Sequence, residues 1–326
     1  MNAIAPLETL SGATVMVAGG RGFVGSHVVR ALVRAGAKPV VFGPAMTDDL
    51  LGDLAGRMAD VTGSIEDRGA VAAVFERYRP RYVVSCVAHG AGRLGLMRTG
   101  EADLSRSIAV NVNGFSTLLD EAAKAGVARV VWTSSTVVSG PASAYGPAPV
   151  TEDDPTGPIT GYGLTKELAE RVAAYHSRRG ALEVVGLRLP LVLGPGLWYE
   201  GVASAIAKVF SQVARDEPAS LVFHDRPLDL MAVSDVAEAV VTALTHRAPL
   251  HDIYNLAGFT ASVPDLLAGI AEIRPSARIA YERSQPAVLF PLVDGSRFVA
   301  DTGFQPARDL GGLVRSLLND TEPAHV

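Results

Sequence analysis

The stretch Met16–Gly36, MVAGGRGFVGSHVVRALVRAG, decides how the rest of the chain is read. A short apolar lead runs into Gly19, Gly22 and Gly25, three residues apart, and apolar residues at helical spacing follow over Ser26–Ala35. A phosphate needs several backbone N–H groups at once, and a Cβ would hold it away. Glycine allows positive φ and close approach, and the helix start adds a positive dipole end. Between a strand and a helix, such a turn suits the pyrophosphate of a dinucleotide, against the plainer reading of a tight turn that binds nothing.

The surrounding pattern supports the first reading. Strand-like runs at Ala13–Ala18, Pro39–Phe42, Met58–Val61, Tyr82–Ala88 and Ala128–Ser134 are interleaved with helical runs at Ser26–Ala35, Arg68–Tyr78 and Ser105–Gly126. Strands alternating with helices imply a parallel sheet covered on both faces, and right-handed connections make it doubly wound. The expected fold class is therefore α/β, a Rossmann-type doubly wound parallel sheet. Thr165–Arg178 reads as a further helix and Val184–Val192 as a strand. Helical runs at Val202–Ala214, Val233–Thr245 and Val263–Ile273 then follow, separated by Pro- and Gly-containing turns. We expect a dinucleotide-binding domain over residues 1–190. A smaller, mostly helical substrate lobe over residues 191–326 is interleaved with the sheet.

Composition excludes several classes. The 326 residues carry a formal net charge of -5 with no basic block, which argues against nucleic acid or an anionic membrane as partner. A single cysteine allows no internal disulfide and points to a reducing compartment. No apolar run approaches the ~18 residues of a membrane span, and the N-terminus lacks a basic region, so a soluble cytoplasmic protein is expected. The seven histidines form no pair at metal-ligand spacing, and no metal is expected. His27 and His176 read as helix-surface residues, and Cys86 as a buried filler.

The chemistry resides in "TGYGLTKELAE" and "VVWTSSTVVSG". Tyr162 and Lys166 lie four apart at a helix start, hence on one face. A phenol with a reference pKa of about 10 is a weak base, and a nearby ammonium favours the phenolate. Ser135 closes a buried strand at the edge where doubly wound sheets bind ligands, placed to hydrogen-bond a substrate oxygen. Ser134 beside it is a second candidate for substrate. Asn111 is a polar residue on an apolar-faced helix, read either as a site residue or as a satisfied buried amide.

Taken together, these segments resemble the extended short-chain dehydrogenase/reductases, the NAD-dependent epimerase/dehydratase group. "GGRGFVG", "GSIEDRGAVAAVF", "NVNGFSTLLDEAAKAGVARVVWTSS", "PVTEDDPTGPITGYGLTK", "LRLPLVLGPG", "LDLMAVSDVAEAV" and "IYNLAG" occur in the order and spacing of that family. The resemblance implies that Gly19, Gly22 and Gly25, with Phe23 and Val24, cradle the pyrophosphate. It sets Ser64 and Ile65 near the adenine, where the family often has Asp in place of Ser64. It sets Val87 and Ala88 beside the cofactor, and Pro190 and Val192 beside the nicotinamide. Ser135, Tyr162 and Lys166 become a catalytic group in which Lys166 also holds the ribose, and Asn111 orders a water in the proton relay. The helices around Ser105–Gly126 and Thr165–Arg178 resemble the family's dimer face, which implies a homodimer.

Two departures bear on ligands. An NAD site often has an acid at the end of the second strand, gripping the ribose hydroxyls. Here "PVVFGPAM" has Gly43, and Arg21 in the turn is a candidate phosphate contact. NAD is the first expectation for the cofactor and NADP the second. Relatives that use nucleotide-diphosphate sugars commonly hold the diphosphate with an Asn and an Arg where this chain has Leu191 and Leu228. Unpaired burial of such a charge is costly, so a smaller sugar, sugar acid or hydroxy acid is expected, with hydride exchanged between it and nicotinamide. His89, Arg93, Arg98, Trp198 and Arg226 are the further substrate candidates, an Arg of the 89–98 loop holding a carboxylate. The alternatives are a sugar or nucleotide-sugar epimerase or dehydratase, and a non-catalytic NAD(P)-sensing module.

Overall fold

The computed structural model describes residues 9–47, 50–180 and 182–319. The first half runs β1 (Thr14–Ala18), α1 (Phe23–Arg34), β2 (Lys38–Gly43), β3 (Ala59–Thr62), α2 (Arg68–Tyr78) and β4 (Tyr82–Ser85). It continues with α3 (Leu96–Ala102), α4 (Leu104–Ile108), α5 (Phe115–Lys124), β5 (Arg129–Ser135), α6 (Gly161–Arg178) and β6 (Glu183–Leu189). The second half adds β7 (Leu191–Leu193), α7 (Val202–Ala214), β8 (Ala219–Phe223), β9 (Leu228–Ala232), α8 (Val233–Thr245) and β10 (Ile253–Asn255). It ends with β11 (Phe259–Ala261), α9 (Val263–Ile273), β12 (Ile279–Arg283), α10 (Ser296–Thr302) and α11 (Leu310–Asn319).

Seven parallel strands form the main sheet in the order β10-β6-β5-β4-β1-β2-β3. The direction of winding reverses between β1 and β4, and ligands of such sheets bind at the carboxyl ends beside that reversal. Side chains of β1 alternate between two cores. Val15 and Val17 join the core that includes α1 and α8, while Met16 and Ala18 join the one that includes α2, α5 and α6. A strand covered on both faces has no polar side, which is why it reads as a continuous apolar run. In the second half more residues are helical than extended, and two small sheets, β11-β9-β7 and β12-β8, lie among the helices. β10 returns to the edge of the main sheet against β6.

Three elements differ from the sequence reading. The single strand expected over Val184–Val192 breaks at Pro190, which has no N–H for the ladder, into β6 of the main sheet and β7 of a small one. The strand expected to reach Ala88 ends at Ser85, and the chain then crosses over Gly19, whose Cβ would stand 3.0 Å from the Cys86 carbonyl. The helix expected over Ser105–Gly126 is interrupted by a π-helical stretch, Ala109–Gly114. Helical periodicity in sequence does not register such an insertion. His27 is half-buried, with its Nε2 3.0 Å from the Pro195 carbonyl, and His176 is buried; neither is a surface residue. No helix among the described residues is long and apolar enough to cross a membrane.

Candidate active site

The three glycines of the turn are required for three different reasons. Gly19 has φ +75° and lies against the backbone of Cys86 and Val87. Gly25, in α1, faces the turn so closely that a Cβ would fall 2.1 Å from the Gly19 carbonyl. Gly22 is the N-cap of α1, has ordinary extended backbone, and a Cβ there would meet only the Gly19 carbonyl, at 3.3 Å. No side chain caps this helix, and its first turn has no acid. Unclaimed N–H groups therefore point past a bare Gly22 into the cleft, and an anion is the group they fit.

At the head of α6, Tyr162 lines the cleft together with Ser135 at the end of β5, whose hydroxyl is close enough to favour its phenolate. Lys166, one turn on and 3% exposed, donates to the Thr133 carbonyl at 2.7 Å and the Val87 carbonyl at 3.3 Å. Its ammonium lies 5.7 Å from the Tyr162 ring centre. Burial pulls it down to about 8, against the pull of Cys86 and Glu170 in the other direction. Burial, with the Tyr199 phenol nearby, pushes Tyr162 well above the usual phenol range, while Ser135 opposes it. Burial also pushes the Cys86 thiol up to about 12, which leaves it protonated and unsuited to nucleophilic attack.

The α6 head is held by backbone contact. A Cβ on Gly100 of α3 would fall 2.5 Å from the Tyr162 nitrogen, and one on Gly161 would fall 2.6 Å from the Gly100 carbonyl. Thr160 caps the helix through the Gly163 N–H at 3.0 Å, and Glu101 accepts from the Gly161 N–H at 2.6 Å. Two bare backbones thus allow α3 to fix the position of Tyr162.

The glycine turn and this group share one cleft of about 1200 Å³. Single-ligand pockets are commonly about 300–1,000 Å³, so the space suits two ligands end to end. Of the residues singled out in the sequence, all but Asn111 and Arg226 line it. Asn111 lies in the π-helical stretch, 5% exposed. Its Oδ1 accepts from the His89 N–H at 2.7 Å and its Nδ2 donates to Thr165 Oγ1 at 3.0 Å. It braces the loop after β4 against α6, as the satisfied buried amide among the two sequence readings would. Arg226 is exposed and outside the cleft wall. Alternation from Leu228 does not reach it because β9 begins at Leu228, after Pro227. Ser134 reaches the cleft wall, but its hydroxyl donates to Glu170 Oε1 at 2.6 Å, and Glu170 is gripped at both oxygens by Arg188, at 2.9 and 2.8 Å. That hydroxyl is committed to a buried ion pair and is not free for substrate.

The opposite wall comes from segments far along the chain. Arg93 and Arg98 stand exposed at its rim. The 89–95 loop is stitched to the segment after β7, Glu200 N–H donating to the Arg93 carbonyl at 2.7 Å. Trp198 packs edge-on to Tyr199 at 5.7 Å, and Tyr199 edge-on to Phe23 at 6.4 Å, so aromatic rings link the lobe to the glycine turn. Trp198 and Tyr199 after the GPG turn read from sequence as a candidate aromatic wall, and residues not singled out there also line the cleft, among them Lys208, Ser211 and Gln212 on the polar face of α7 and Arg215 at its C-cap. The signal for that face was present: Ala203, Ile206, Val209, Phe210 and Val213 fill the core and leave these positions on the other side.

This combination of sheet, bare turn and Ser-Tyr-Lys group defines a nucleotide-dependent class of enzyme. Residues 15–257 match the NAD-dependent epimerase/dehydratase family, and the chain belongs to that family. It is 30% identical to UDP-glucose 4-epimerase of Azospirillum brasilense, over 96% of this chain and 93% of that one. To dTDP-4-dehydrorhamnose reductase of Streptomyces griseus it is 29% identical, over 95% and 93%. The structure of UDP-glucose 4-epimerase from Brucella ovis in complex with NAD superposes with a TM-score of 0.81. That match covers 95% of this chain and 98% of the other at 24% identity, a likeness of fold.

Proposed function

We propose that the protein is an NAD(P)-dependent oxidoreductase acting on a hydroxyl or carbonyl of a small polyhydroxylated substrate. The observation that carries this reading is the gathering of Ser135, Tyr162 and Lys166, with the Lys166 ammonium 5.7 Å from the Tyr162 ring centre, in the cleft that the uncapped glycine turn opens into. A bound nicotinamide supplies the hydride acceptor or donor. Ser135 orients the reacting oxygen, and Tyr162 Oη takes its proton in oxidation or returns it in reduction. In the protein alone burial keeps the Tyr162 phenol protonated, and a positive charge on Lys166, full only below about pH 8, is the nearby group that would favour its phenolate. Lys166 would also hold the nicotinamide ribose. Residues up to about 190 serve the cofactor and the later lobe serves the substrate.

The second reading is an epimerase of nucleotide sugars, favoured by the UDP-glucose 4-epimerase relative. Against it, Leu191 and Leu228 line the cleft where such relatives commonly place polar diphosphate ligands. A screen of sugars, sugar acids and hydroxy acids, followed by absorbance of reduced cofactor, tests the first reading. Calorimetry with UDP-, GDP- and dTDP-sugars tests the second, and micromolar binding of any of them would replace the first with it.

The crevice between α5 and α6, bordered by Val112, Leu168, Val172 and the exposed Tyr175, is the face we assign to a homodimer in the cytoplasm. A monomer mass by light scattering at micromolar concentration would remove that assignment.

A further inference from the structure

We propose that the cleft holds an apolar substituent of its substrate, a methyl or short alkyl group, against the segment 288–292. The inference rests on the oxidoreductase reading of the cleft and narrows its substrate to a deoxy or alkyl-bearing hydroxy compound. The stretch Ala287–Leu292, AVLFPL, is apolar throughout, and its residues from Val288 to Leu292 line the cleft. Val288 is 40% exposed, and Leu289, Phe290 and Leu292 are half-buried. Among the described residues none of these four packs against either hydrophobic core. Contiguous apolar side chains with no core to fill mark a place where something else binds.

Main-chain bonds hold the segment instead. The Leu289 carbonyl accepts from the Ala142 N–H at 2.7 Å, and the Leu292 carbonyl from the Val150 N–H at 2.8 Å. The Asp294 N–H donates back to the Val150 carbonyl at 2.8 Å. The Val293 N–H donates to Asp229 Oδ2 at 2.7 Å, and Asp229 Oδ1 accepts from Thr260 Oγ1 at 2.8 Å. The segment is thus a strap tied to the loop after β5 on one side and to β9 on the other. Its position is set by its backbone, which leaves its side chains to meet a ligand.

The strap lies beside the reacting group. Ser135 is level with Leu189 where β5 pairs with β6, and Leu191 stands two residues further on. Leu191 in turn is level with Leu230 of β9, the residue after Asp229 and two past Leu228. Leu191 and Leu228 line the same cleft. These two leucines and the strap bound an apolar corner close to the oxygen that Ser135 and Tyr162 would serve. A methyl group placed there gains contact. A hydroxyl in its place loses water and finds no donor or acceptor on leucine, valine or phenylalanine side chains. Lys208, Ser211 and Gln212 of α7 remain to meet the hydroxylated part of the substrate.

Two measurements on the full chain with saturating NAD test this. The first is steady-state turnover of matched pairs of sugars and hydroxy acids that differ only by methyl in place of hydroxymethyl. The methyl member should be preferred by roughly 10- to 100-fold in kcat/KM, the range a small apolar pocket can reach. The second is fluorescence titration with anilinonaphthalene sulfonate, an apolar probe, which should bind at micromolar concentration. The double variant Leu289→Ser, Phe290→Ser touches neither core, so its thermal transition should match wild type. It should weaken the probe by roughly tenfold, the scale of one lost apolar side-chain contact, and remove most of the preference for methyl. Equal or faster turnover of the hydroxymethyl members, or probe binding unchanged in the double variant, would overturn the proposal and leave the oxidoreductase reading standing. Displacement of the probe by UDP would overturn it in favour of the nucleotide-sugar reading. Turnover of neither member of any pair would overturn the proposal and the oxidoreductase reading together.

Discussion

At the glycine turn the cleft presents backbone: the N–H groups at the start of α1, the bare Gly22, and the carbonyl-crossed edge of β2. At the far end it presents side chains from the 89–98 loop, Trp198 and Tyr199, one face of α7, and the 224–229 and 288–292 segments. Backbone surfaces are fixed by φ and by close packing, so a change there alters the fold or removes the ligand. A wall of side chains leaning in from rigid helices can be changed residue by residue with the core intact. This division lets one scaffold keep a cofactor class while its substrate varies. It also explains why the turn identifies a cofactor class here and the lobe does not identify a substrate.

The largest effect is expected at the seam between the two ends. Tyr162→Phe keeps the packing and removes the oxygen that moves the proton. Turnover should fall by about 10²–10⁴-fold while cofactor affinity stays near wild type. Near-normal turnover in steady-state assays would remove Tyr162 from the mechanism.

Lys166 lies at the same seam and is held at a cost. Its folded pKa of about 8 is below the ordinary 10.5 of a lysine, so the unfolded chain binds the extra proton between those values. The sign follows: relative to Lys166→Met, wild type should gain stability as pH rises from about 8 to 10.5, and lose that gain as pH falls back through 8. The upper bound is about 3 kcal/mol. Denaturant titrations of both proteins at pH 7 and pH 10 measure it. A constant difference would mean that the ammonium is better solvated than its burial indicates.

Gly22→Val challenges the backbone end alone. Its Cβ meets only the Gly19 carbonyl, so the fold should survive, while cofactor affinity drops roughly 10- to 100-fold through lost N–H contacts. Unchanged titration curves for NAD and NADP would show that the turn does not hold the pyrophosphate.

The smallest effect is expected at the side-chain end. Lys208 is exposed on the cleft face of α7. An exposed charge contributes about 0–1 kcal/mol, so Lys208→Ala should raise KM for an anionic substrate a few-fold at most. Cofactor affinity and melting temperature should stay unchanged. A loss of cofactor binding in this variant would mean that the two ends are coupled, and the comparison above would fail.

Local spacing settled much before any coordinate was known. Strand, glycine turn and helix in sequence, and Tyr and Lys one turn apart, are short-range patterns whose geometry is set by backbone periodicity. The alternation of apolar strands and helices was enough for a parallel, doubly wound sheet, because connections of that kind have one favoured hand. What depended on distant partners was not legible in the same way. Ser134 and Ser135 are equivalent as letters, and only the burial of Glu170 with Arg188 behind the sheet assigns one hydroxyl to a structural ion pair and leaves the other facing the cleft. Gly100 and Gly161 read as unremarkable loop and helix glycines until α3 and α6 meet with their backbones in contact.

The sequence by itself determined the class of fold, the phosphate-suited turn and the Tyr-Lys pair, since each is written within a few residues and follows from steric limits on φ and from helical repeat. The tertiary structure decided which side chains share the cleft. It moved Asn111 behind the wall through a π-helical insertion, left Arg226 outside on a loop, brought in one face of α7, and laid Arg21 across the end of β2. Those placements depend on packing between segments tens to hundreds of residues apart, and no local periodicity encodes where such segments will meet.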